Sequence, residues 1–145
     1  MFDKLLKQYK VKGYFTFKPK ESLEVKCNAP TDQNGIYLIY KIVNSQEVLI
    51  YIGSSGQIKD GTLKTRQSGL GGMKDRIVNG YHPKFGKIKR KKVFPNQMII
   101  ENISELKIYW WVTHGNENND IPTEVERTLK GLYFNKYGCL PAWHK

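Results

Sequence analysis

Two short runs of β-branched and aromatic residues, separated by a polar segment, constrain the fold of this chain more than any other feature. The first run covers residues 35–43, the second covers residues 48–52, and polar residues fill positions 44–47. Such runs favour strands, and a short polar segment between two of them is typical of a β-hairpin. Because side chains alternate between the faces of a strand, we expect one face of the hairpin to enter the core and the other to carry chemistry.

Two tripeptides stand out within this hairpin: Gly35-Ile36-Tyr37 on the first strand and Tyr51-Ile52-Gly53 on the second. Either tyrosine alone is an ordinary strand residue. The pair resembles the signature of the GIY-YIG nucleases, and the resemblance covers about Gly35 to the C-terminus. The gap between the tripeptides is slightly longer than is usual in that family, which a longer turn would absorb.

The resemblance implies an α/β (α+β) fold with a small central, mostly antiparallel sheet flanked by helices. At 145 residues the chain is most simply one domain. We expect residues 1–34 to form an N-terminal extension, which could brace the sheet, extend the DNA surface or form a dimer contact, and residues 35–145 to form the core module.

Charge points to an anionic polymer as the partner. The formal net charge is +11 and the isoelectric point is near 9.6, and clustered Lys and Arg gain affinity by releasing counterions from phosphates. The sequence contains neither a stretch of roughly 18 apolar residues nor a signal-peptide core. We therefore expect double-stranded DNA as the partner, no membrane, and a cytoplasmic location. Two cysteines, Cys27 and Cys139, make no disulfide framework and are interpreted as incidental buried thiols.

Hydrophobic spacing predicts the elements outside the hairpin. The sequence predicts a short N-terminal helix from the spacing of apolar residues at positions 2, 5, 6 and 9, and strands at 14–17, 23–27 and 105–113. Residues 54–72 have low apolar content and are interpreted as a loop or flap that contacts substrate. A short helix around Met73–Ile77 should end at Asn79-Gly80, and a last helix should run from about Val125 to Tyr137-Gly138.

In GIY-YIG nucleases, an arginine on the helix after the second tripeptide contacts the scissile phosphate. Arg76 lies on such a predicted helix, whereas Arg66 is closer to Tyr51 but lies in the glycine-rich segment. We favour Arg76, because the planar guanidinium offers paired donors to phosphate oxygens and stays charged. A family histidine near this arginine would correspond to His82.

The resemblance also implies a metal-binding glutamate on the last helix, where Glu124 and Glu126 are the candidates. Glu126 fits better, because the family glutamate precedes an apolar helical stretch. The alternative is structural, since Thr123 followed by Glu126 has the spacing of a capping box. His144 stands where many members of the family have asparagine, so its role stays open between orienting a ligand and lying in a solvated tail.

The implied chemistry is in-line hydrolysis of a DNA phosphodiester by water. Tyr37 is the candidate base, Tyr51 would hold the water or the phosphate, and Arg76 would stabilise the developing charge. Glu126 would bind Mg²⁺, for which Mn²⁺ could substitute. No further carboxylates gather near the signature, so we expect one metal and not two.

A run of basic residues between positions 84 and 92 is the candidate DNA-backbone surface. We name it the basic patch: Lys84, Lys87, Lys89, Arg90, Lys91 and Lys92. A small free-standing restriction-type endonuclease, acting as a homodimer, is the favoured subtype. The alternatives are a structure-selective repair nuclease and an inactive DNA-binding protein of the same fold.

Overall fold

A computed structural model describes residues 1–59, 62–64 and 72–145, with no account of the side chains of 57–59 and 62–64. In chain order its elements are α1 (Asp3–Leu6), β1 (Lys12–Phe17), α2 (Leu23–Lys26), β2 (Asn34–Val43), β3 (Gln46–Ser54), β4 (Gln57–Lys59), β5 (Thr62–Lys64), α3 (Gly72–Asn79), β6 (Tyr81–His82), β7 (Gly86–Lys89), α4 (Arg90–Ile100), β8 (Leu106–His114) and α5 (Pro122–Tyr137).

The central sheet has four antiparallel strands in the order β1-β8-β2-β3. Helices pack on both of its faces, so the predicted α+β fold with a small antiparallel sheet is confirmed. Strand β1 comes from the N-terminal extension and pairs with β8, and the buried α1 residue Leu6 packs beside the sheet. The extension therefore braces the sheet.

Two apolar clusters lie on opposite faces of the sheet. One contains Tyr37, Ile39 and Tyr51 together with residues from α3 and α4. The other contains Ile36, Leu38 and Ile52 together with residues from α1 and α5. We call these faces the tyrosine face and the α5 face. Trp110 lies in the first cluster and Trp111 packs against the second, as the alternation of a strand requires.

The β2–β3 hairpin is present, but its turn is tighter than predicted. Asn44 and Ser45 form the turn with φ values of 50° and 64°, and Gln46 and Glu47 already belong to β3. Positive φ at both central residues gives a turn whose twist matches that of paired strands. A longer turn therefore does not absorb the gap between the tripeptides; longer strands with a bulge do.

Some of the other predictions of secondary structure and burial are confirmed, and others are wrong. The short N-terminal helix, the strand at β8 and the helices α3 and α5 are confirmed, and α5 ends at Gly138 with φ 75°. Residues 23–26 form a helix and not a strand, because the Ser22 side chain accepts a hydrogen bond from the Val25 amide as an N-cap. Residues predicted as loop include the paired strands β4 and β5. Cys139 is exposed, so only Cys27 is a buried thiol.

Both tripeptide glycines occupy positions that leave no space for a side chain. A Cβ on Gly53 would stand 2.6 Å from Cε2 of Tyr37, and a Cβ on Gly35 would stand 2.8 Å from the backbone nitrogen of Thr113. Gly53 lies directly across from Tyr37 in the hairpin register. The tyrosine ring therefore rests on the bare backbone of the neighbouring strand.

Replacing Gly53 with alanine should destabilise the protein by about 1–3 kcal/mol, because the added methyl group forces the buried Tyr37 ring to move. The matched control is Gly131→Ala in α5, where an added Cβ meets nothing within 4 Å. That change should stabilise the helix by about 0.5–1 kcal/mol. Urea unfolding of the two variants measures both effects, and equal stability of the Gly53 variant and the wild type would contradict the packing argument.

Candidate active site

The two signature tyrosines share one face of the sheet because of a bulge in β3. Ile39 pairs with Tyr51 while Tyr40 pairs with Leu49, so Ile50 is the extra residue. As a result the consecutive residues Ile50 and Tyr51 both lie in the cluster on the tyrosine face. The rings of Tyr37 and Tyr51 are 6.2 Å apart between centroids. Both side chains are buried, Tyr37 completely.

Arg90 lies at the centre of this cluster, which the sequence did not predict. It is the first residue of α4 and is fully buried. Its Nη1 donates a hydrogen bond to the Tyr37 hydroxyl, and its guanidinium carbon stands 5.5 Å from the Tyr37 ring centre and 5.6 Å from that of Tyr51. Arg90 therefore does not lie on the exposed surface with the lysines of the basic patch, because its side chain is fully buried.

Two of the three nitrogens of Arg90 lack a hydrogen-bond partner among the described residues, namely Nε and Nη2. Burial lowers the pKa of Arg90, but the neighbouring phenols of Tyr37 and Tyr51 outweigh it and the pKa ends above its ordinary value. The guanidinium is therefore charged at neutral pH. A buried charge whose donors are unsatisfied costs folding free energy, so its presence calls for an explanation beyond packing.

Arg76 reaches the same cluster from α3. Its side chain is half-buried and runs beside Gly80, with Nη1 3.1 Å from the position that a Cβ there would take. Its charge lowers the pKa of both Tyr51 and His82, although it is not the main influence on either. Arg76 is therefore near enough to Tyr51 and His82 for its charge to act on them, whereas the rival Arg66 lies outside the described residues.

His82 stacks between the aromatic rings of the cluster. Its ring centre is 4.4 Å from those of Tyr51 and Phe85. Burial, followed by the charge of Arg90, lowers the pKa of His82 to about 3, so the imidazole is neutral at pH 7. Its Nδ1 accepts a hydrogen bond from the Lys84 amide, 3.1 Å away, which assigns the remaining proton to Nε2. That Nε2 is buried and has no partner in the described part of the chain.

His144 closes the exposed edge of β3. Its Nε2 accepts a hydrogen bond from the Ile52 amide at 3.0 Å, while the preceding Trp143 amide donates to the Ile50 carbonyl at 2.9 Å. The imidazole also stacks on Tyr51 at 4.5 Å. Burial, followed by the charge of Lys130, lowers its pKa to about 4. His144 is thus an ordered part of the site and not a solvated tail residue.

Tyr51 is a neutral hydrogen-bonding group. Burial, followed by the neighbouring Tyr37 phenol, raises its pKa well above the ordinary value, and the charges of Arg90 and Arg76 offset this only in part. A protonated phenol donates a hydrogen bond but does not accept a proton from water. The geometry therefore suits Tyr51 to holding a water or a phosphate oxygen, the role that the resemblance implies for it.

Glu126 lies on α5, and its carboxylate reaches the end of β3. One carboxylate oxygen accepts a hydrogen bond from the Ser54 hydroxyl at 2.6 Å, and the other pairs with Lys130 at 2.7 Å. The capping-box alternative is wrong, because the helix begins at Pro122 and its N-cap, Ile121, makes no side-chain bond. Glu124 is exposed and borders a separate groove with Tyr9 and Asp120.

The donor atoms around Glu126 fit a hydrated Mg²⁺ bound through one carboxylate. Within residues 1–59, 62–64 and 72–145, no group of three or more His, Cys, Asp or Glu side chains is placed to bind a metal. Mg²⁺ nevertheless binds through one or two carboxylates when substrate phosphates and waters complete its shell. The Ser54 hydroxyl next to Glu126 is a further oxygen on the same side.

The basic patch divides into exposed and engaged members. Lys87, Lys89 and Lys92 are exposed on β7 and α4. Lys84 donates to the Ala142 carbonyl at 2.7 Å, and Lys91 pairs with Glu24 at 3.8 Å. Lys84 is exposed as well but is hydrogen-bonded, so Lys87, Lys89 and Lys92 are the exposed lysines of the patch without a hydrogen bond or ion pair among the described residues.

The predicted site residues come together around the edge strand β3. Tyr37, Tyr51, His82 and Arg76 gather on the tyrosine face, His144 lies at the edge, and Glu126 lies on the α5 face. Sequence reasoning missed Arg90 as an interior residue, along with Ser54 and Lys130. No family model matches the sequence, and searches of curated proteins and of solved structures found no match. In the part of the chain that the structure describes, none of the helices is long and apolar enough to span a membrane.

Acidification should destabilise the protein through the two histidines. Their folded-state pKa values of about 3 and about 4 lie below the ordinary value of 6.5, so the unfolded chain takes up protons that the folded chain refuses. Stability is fully present above pH 6.5 and is lost as pH falls toward 4, by at most about 1.4 kcal/mol per pH unit for each histidine. The loss is smaller for His144, because solvent screens this partly exposed group.

Urea unfolding between pH 7.5 and 4.5 measures this loss. The variant His144→Asn removes one titrating group and keeps a side-chain oxygen that can accept a hydrogen bond, so its stability should fall less steeply with acid than that of the wild type. Parallel curves for the two proteins would show that His144 does not contribute.

Proposed function

We propose that the protein is a metal-dependent DNA endonuclease of the GIY-YIG type. The observation that carries the proposal is the convergence of Tyr37, Tyr51 and Arg76 on one face of the sheet, with Glu126 around the adjacent edge. These residues come from four separate elements, so their assembly reflects the fold and not sequence proximity. The net charge of +11 supports a polyanionic substrate.

In the proposed reaction, a water attacks the phosphorus of a DNA phosphodiester and the opposite P–O bond breaks. In this step Tyr37 reacts as the phenolate and takes up the proton of the water, becoming a neutral phenol. A tyrosine acts as a base only with positive charge beside its oxygen, and Arg90 supplies that charge through its hydrogen bond. Tyr51, held neutral by burial, donates to the water or to a phosphate oxygen.

Arg76 stabilises the negative charge that develops on the phosphate, from the half-buried position beside Tyr51 and His82. Glu126 and the Ser54 hydroxyl would hold Mg²⁺ or Mn²⁺, which supplies charge stabilisation and a more acidic bound water on the leaving side. Lys130 must release one oxygen of Glu126 for this to occur. The two side chains are partly buried, and i,i+4 ion pairs on helices typically contribute about 0.3–0.5 kcal/mol.

A site-specific restriction-type enzyme is the proposed subtype, acting in the cytoplasm as a homodimer on double-stranded DNA. Discrete fragments from an unmodified plasmid would support it. Cutting that is confined to forks or flaps would instead favour the structure-selective repair nuclease.

A DNA-binding protein without activity is the second candidate. The observation that favours it is that both carboxylate oxygens of Glu126 are already engaged, one by Ser54 and the other by Lys130. DNA binding without cleavage under any divalent metal would place this candidate first.

The variant Glu126→Gln should reduce plasmid cleavage on the order of 100-fold or more, because it removes the charge that holds the metal. Stability should change little, since the lost contacts are a surface ion pair and one charge-assisted bond. The matched control is Glu124→Gln, two positions away on the same helix and exposed, which should cleave at the wild-type rate. Gel analysis with Mg²⁺ measures both, and undiminished cleavage by folded Glu126→Gln would remove this residue from the mechanism.

DNA affinity should fall steeply with salt if the exposed lysines of the basic patch contact phosphates. Each phosphate contact contributes a slope of about −0.9 to the plot of log affinity against log salt concentration. Changing Lys87, Lys89 and Lys92 to glutamine should therefore make that slope shallower by up to about 2.7. Fluorescence anisotropy in Ca²⁺, without turnover, measures the slope. A slope equal to that of the wild type would place the DNA elsewhere.

A further inference from the structure

We infer that Arg90 and His82 form a binding site for a single phosphate group on the tyrosine face. The starting observation is that three buried donor nitrogens in this cluster have no hydrogen-bond partner within the described parts of the chain. They are Nε and Nη2 of Arg90 and the protonated Nε2 of His82. A buried N–H without an acceptor costs folding free energy, and three such nitrogens in one cluster indicate a missing acceptor of several oxygens.

Both residues lie against the same ring. The guanidinium carbon of Arg90 is 5.6 Å from the Tyr51 ring centre, and the His82 ring is 4.4 Å from it. The charge of Arg90 is also the largest electrostatic influence on His82. The two side chains therefore contact the same ring and interact electrostatically, and the proposed anion is the common acceptor of their unpartnered donors.

A phosphate group fits these donors in charge and in geometry. Guanidinium Nε and Nη2 form the fork that binds two oxygens of one phosphate, and a third oxygen accepts from the imidazole N–H. Arg76 adds a second positive charge to the same cluster. A carboxylate has only two oxygens and leaves the imidazole unsatisfied, so it fits less well.

The position beside both tyrosines identifies the group as a backbone phosphate of the DNA strand, and this identification rests on the proposed function. Binding of a phosphate group as such does not depend on it. Arg90 and His82 are 0% and 1% exposed, so an anion reaches them only when neighbouring side chains move. Arg90 is then the arginine that contacts the reacting phosphate most directly, with Arg76 assisting.

The decisive variant is Arg90→Met, which keeps the side-chain volume and removes the charge and the donors. Replacing a poorly satisfied buried charge by an apolar side chain is often neutral or stabilising, so the variant should fold with an unfolding midpoint near that of the wild type. Lys92→Met, on the exposed side of the same helix, is the matched control for the loss of one positive charge.

The first readout uses inorganic phosphate and needs no DNA. Phosphate should raise the thermal midpoint of the wild type and of Lys92→Met above the midpoint in sodium chloride of equal ionic strength, and should not do so for Arg90→Met. Equal stabilisation of all three proteins would overturn the site, because phosphate would then be binding to surface lysines.

If Arg90→Met does not fold, the wild type alone answers the question. The chain has four arginines, at positions 66, 76, 90 and 127, so the ¹⁵N–¹H spectrum of their Nε–H groups is simple. Phosphate should shift the Nε–H signal that is most protected from solvent exchange, which is that of the buried Arg90. An unchanged protected signal at saturating phosphate would overturn the proposal.

The second readout is plasmid cleavage at low salt, which should fall on the order of 100-fold or more in Arg90→Met. Lys92→Met loses one surface contact to a DNA phosphate and should lose far less activity. Cleavage at the wild-type rate by Arg90→Met would contradict the assignment of the bound phosphate to the reaction. If the wild type cuts no DNA while phosphate stabilisation still depends on Arg90, the phosphate site stands and the nuclease proposal fails.

Discussion

Strand β2 is paired on both sides and covered on both faces, and the rest of the structure depends on this constraint. Because β8 and β3 pair with its two edges, its side chains can point only toward the two faces of the sheet. Tyr37 and Ile39 therefore enter one apolar cluster, while Ile36 and Leu38 enter the other. A one-residue slip of β2 would move each of these side chains to the opposite face of the sheet, away from the apolar cluster into which it packs. The chemistry of the tyrosine face is thus fixed by the same register that forms the core.

Strand β3 contributes to the site through two irregular features, a bulge and an outer edge at the end of the sheet order. The bulge at Ile50 turns Tyr51 toward Tyr37, and the unpaired outer edge takes its hydrogen bonds from the C-terminal residues Trp143 and His144. Unprotected edges invite pairing with other chains. Here the protection itself brings an imidazole onto the ring of Tyr51.

The sequence was informative where local pattern and tertiary structure agree. The sequence patterns of the hairpin, of β8 and of α5 each predict which side chains are buried, and the structure agrees with these predictions. The basic patch does not reveal the start of α4, which lies inside it. The basic residues around Arg90 and the helix-breaking Pro95 both disfavour a helix at this position. The helix forms nevertheless, because Val93, Phe94 and Met98 are buried in the core. The burial of one cation among six neighbouring basic residues depends on contacts with β2, which no local pattern encodes.

The capping box at Thr123 failed for a related reason. Its spacing is correct, but Pro122 already begins the helix at the position that proline favours. Thr123 thus lies inside the first turn, and Glu126 is directed to Ser54 instead of to backbone amides. Two local preferences apply to this helix terminus. The preference of proline for the first helical position, which fixes the φ angle, outweighs the capping box, which would satisfy a backbone N–H.

The charges of the site are separated by β3, and this separation limits how a substrate can lie. The cationic groups Arg90 and Arg76 belong to the tyrosine face, whereas the carboxylate of Glu126 lies on the α5 face beside Ser54. In the proposed enzyme, one phosphodiester must therefore meet arginine on one side and a metal-bearing carboxylate on the other, which places the strand across the edge at His144. The same separation keeps Glu126 from pairing with Arg90. A closer carboxylate would satisfy that guanidinium within the fold and remove the unsatisfied donors that a phosphate requires.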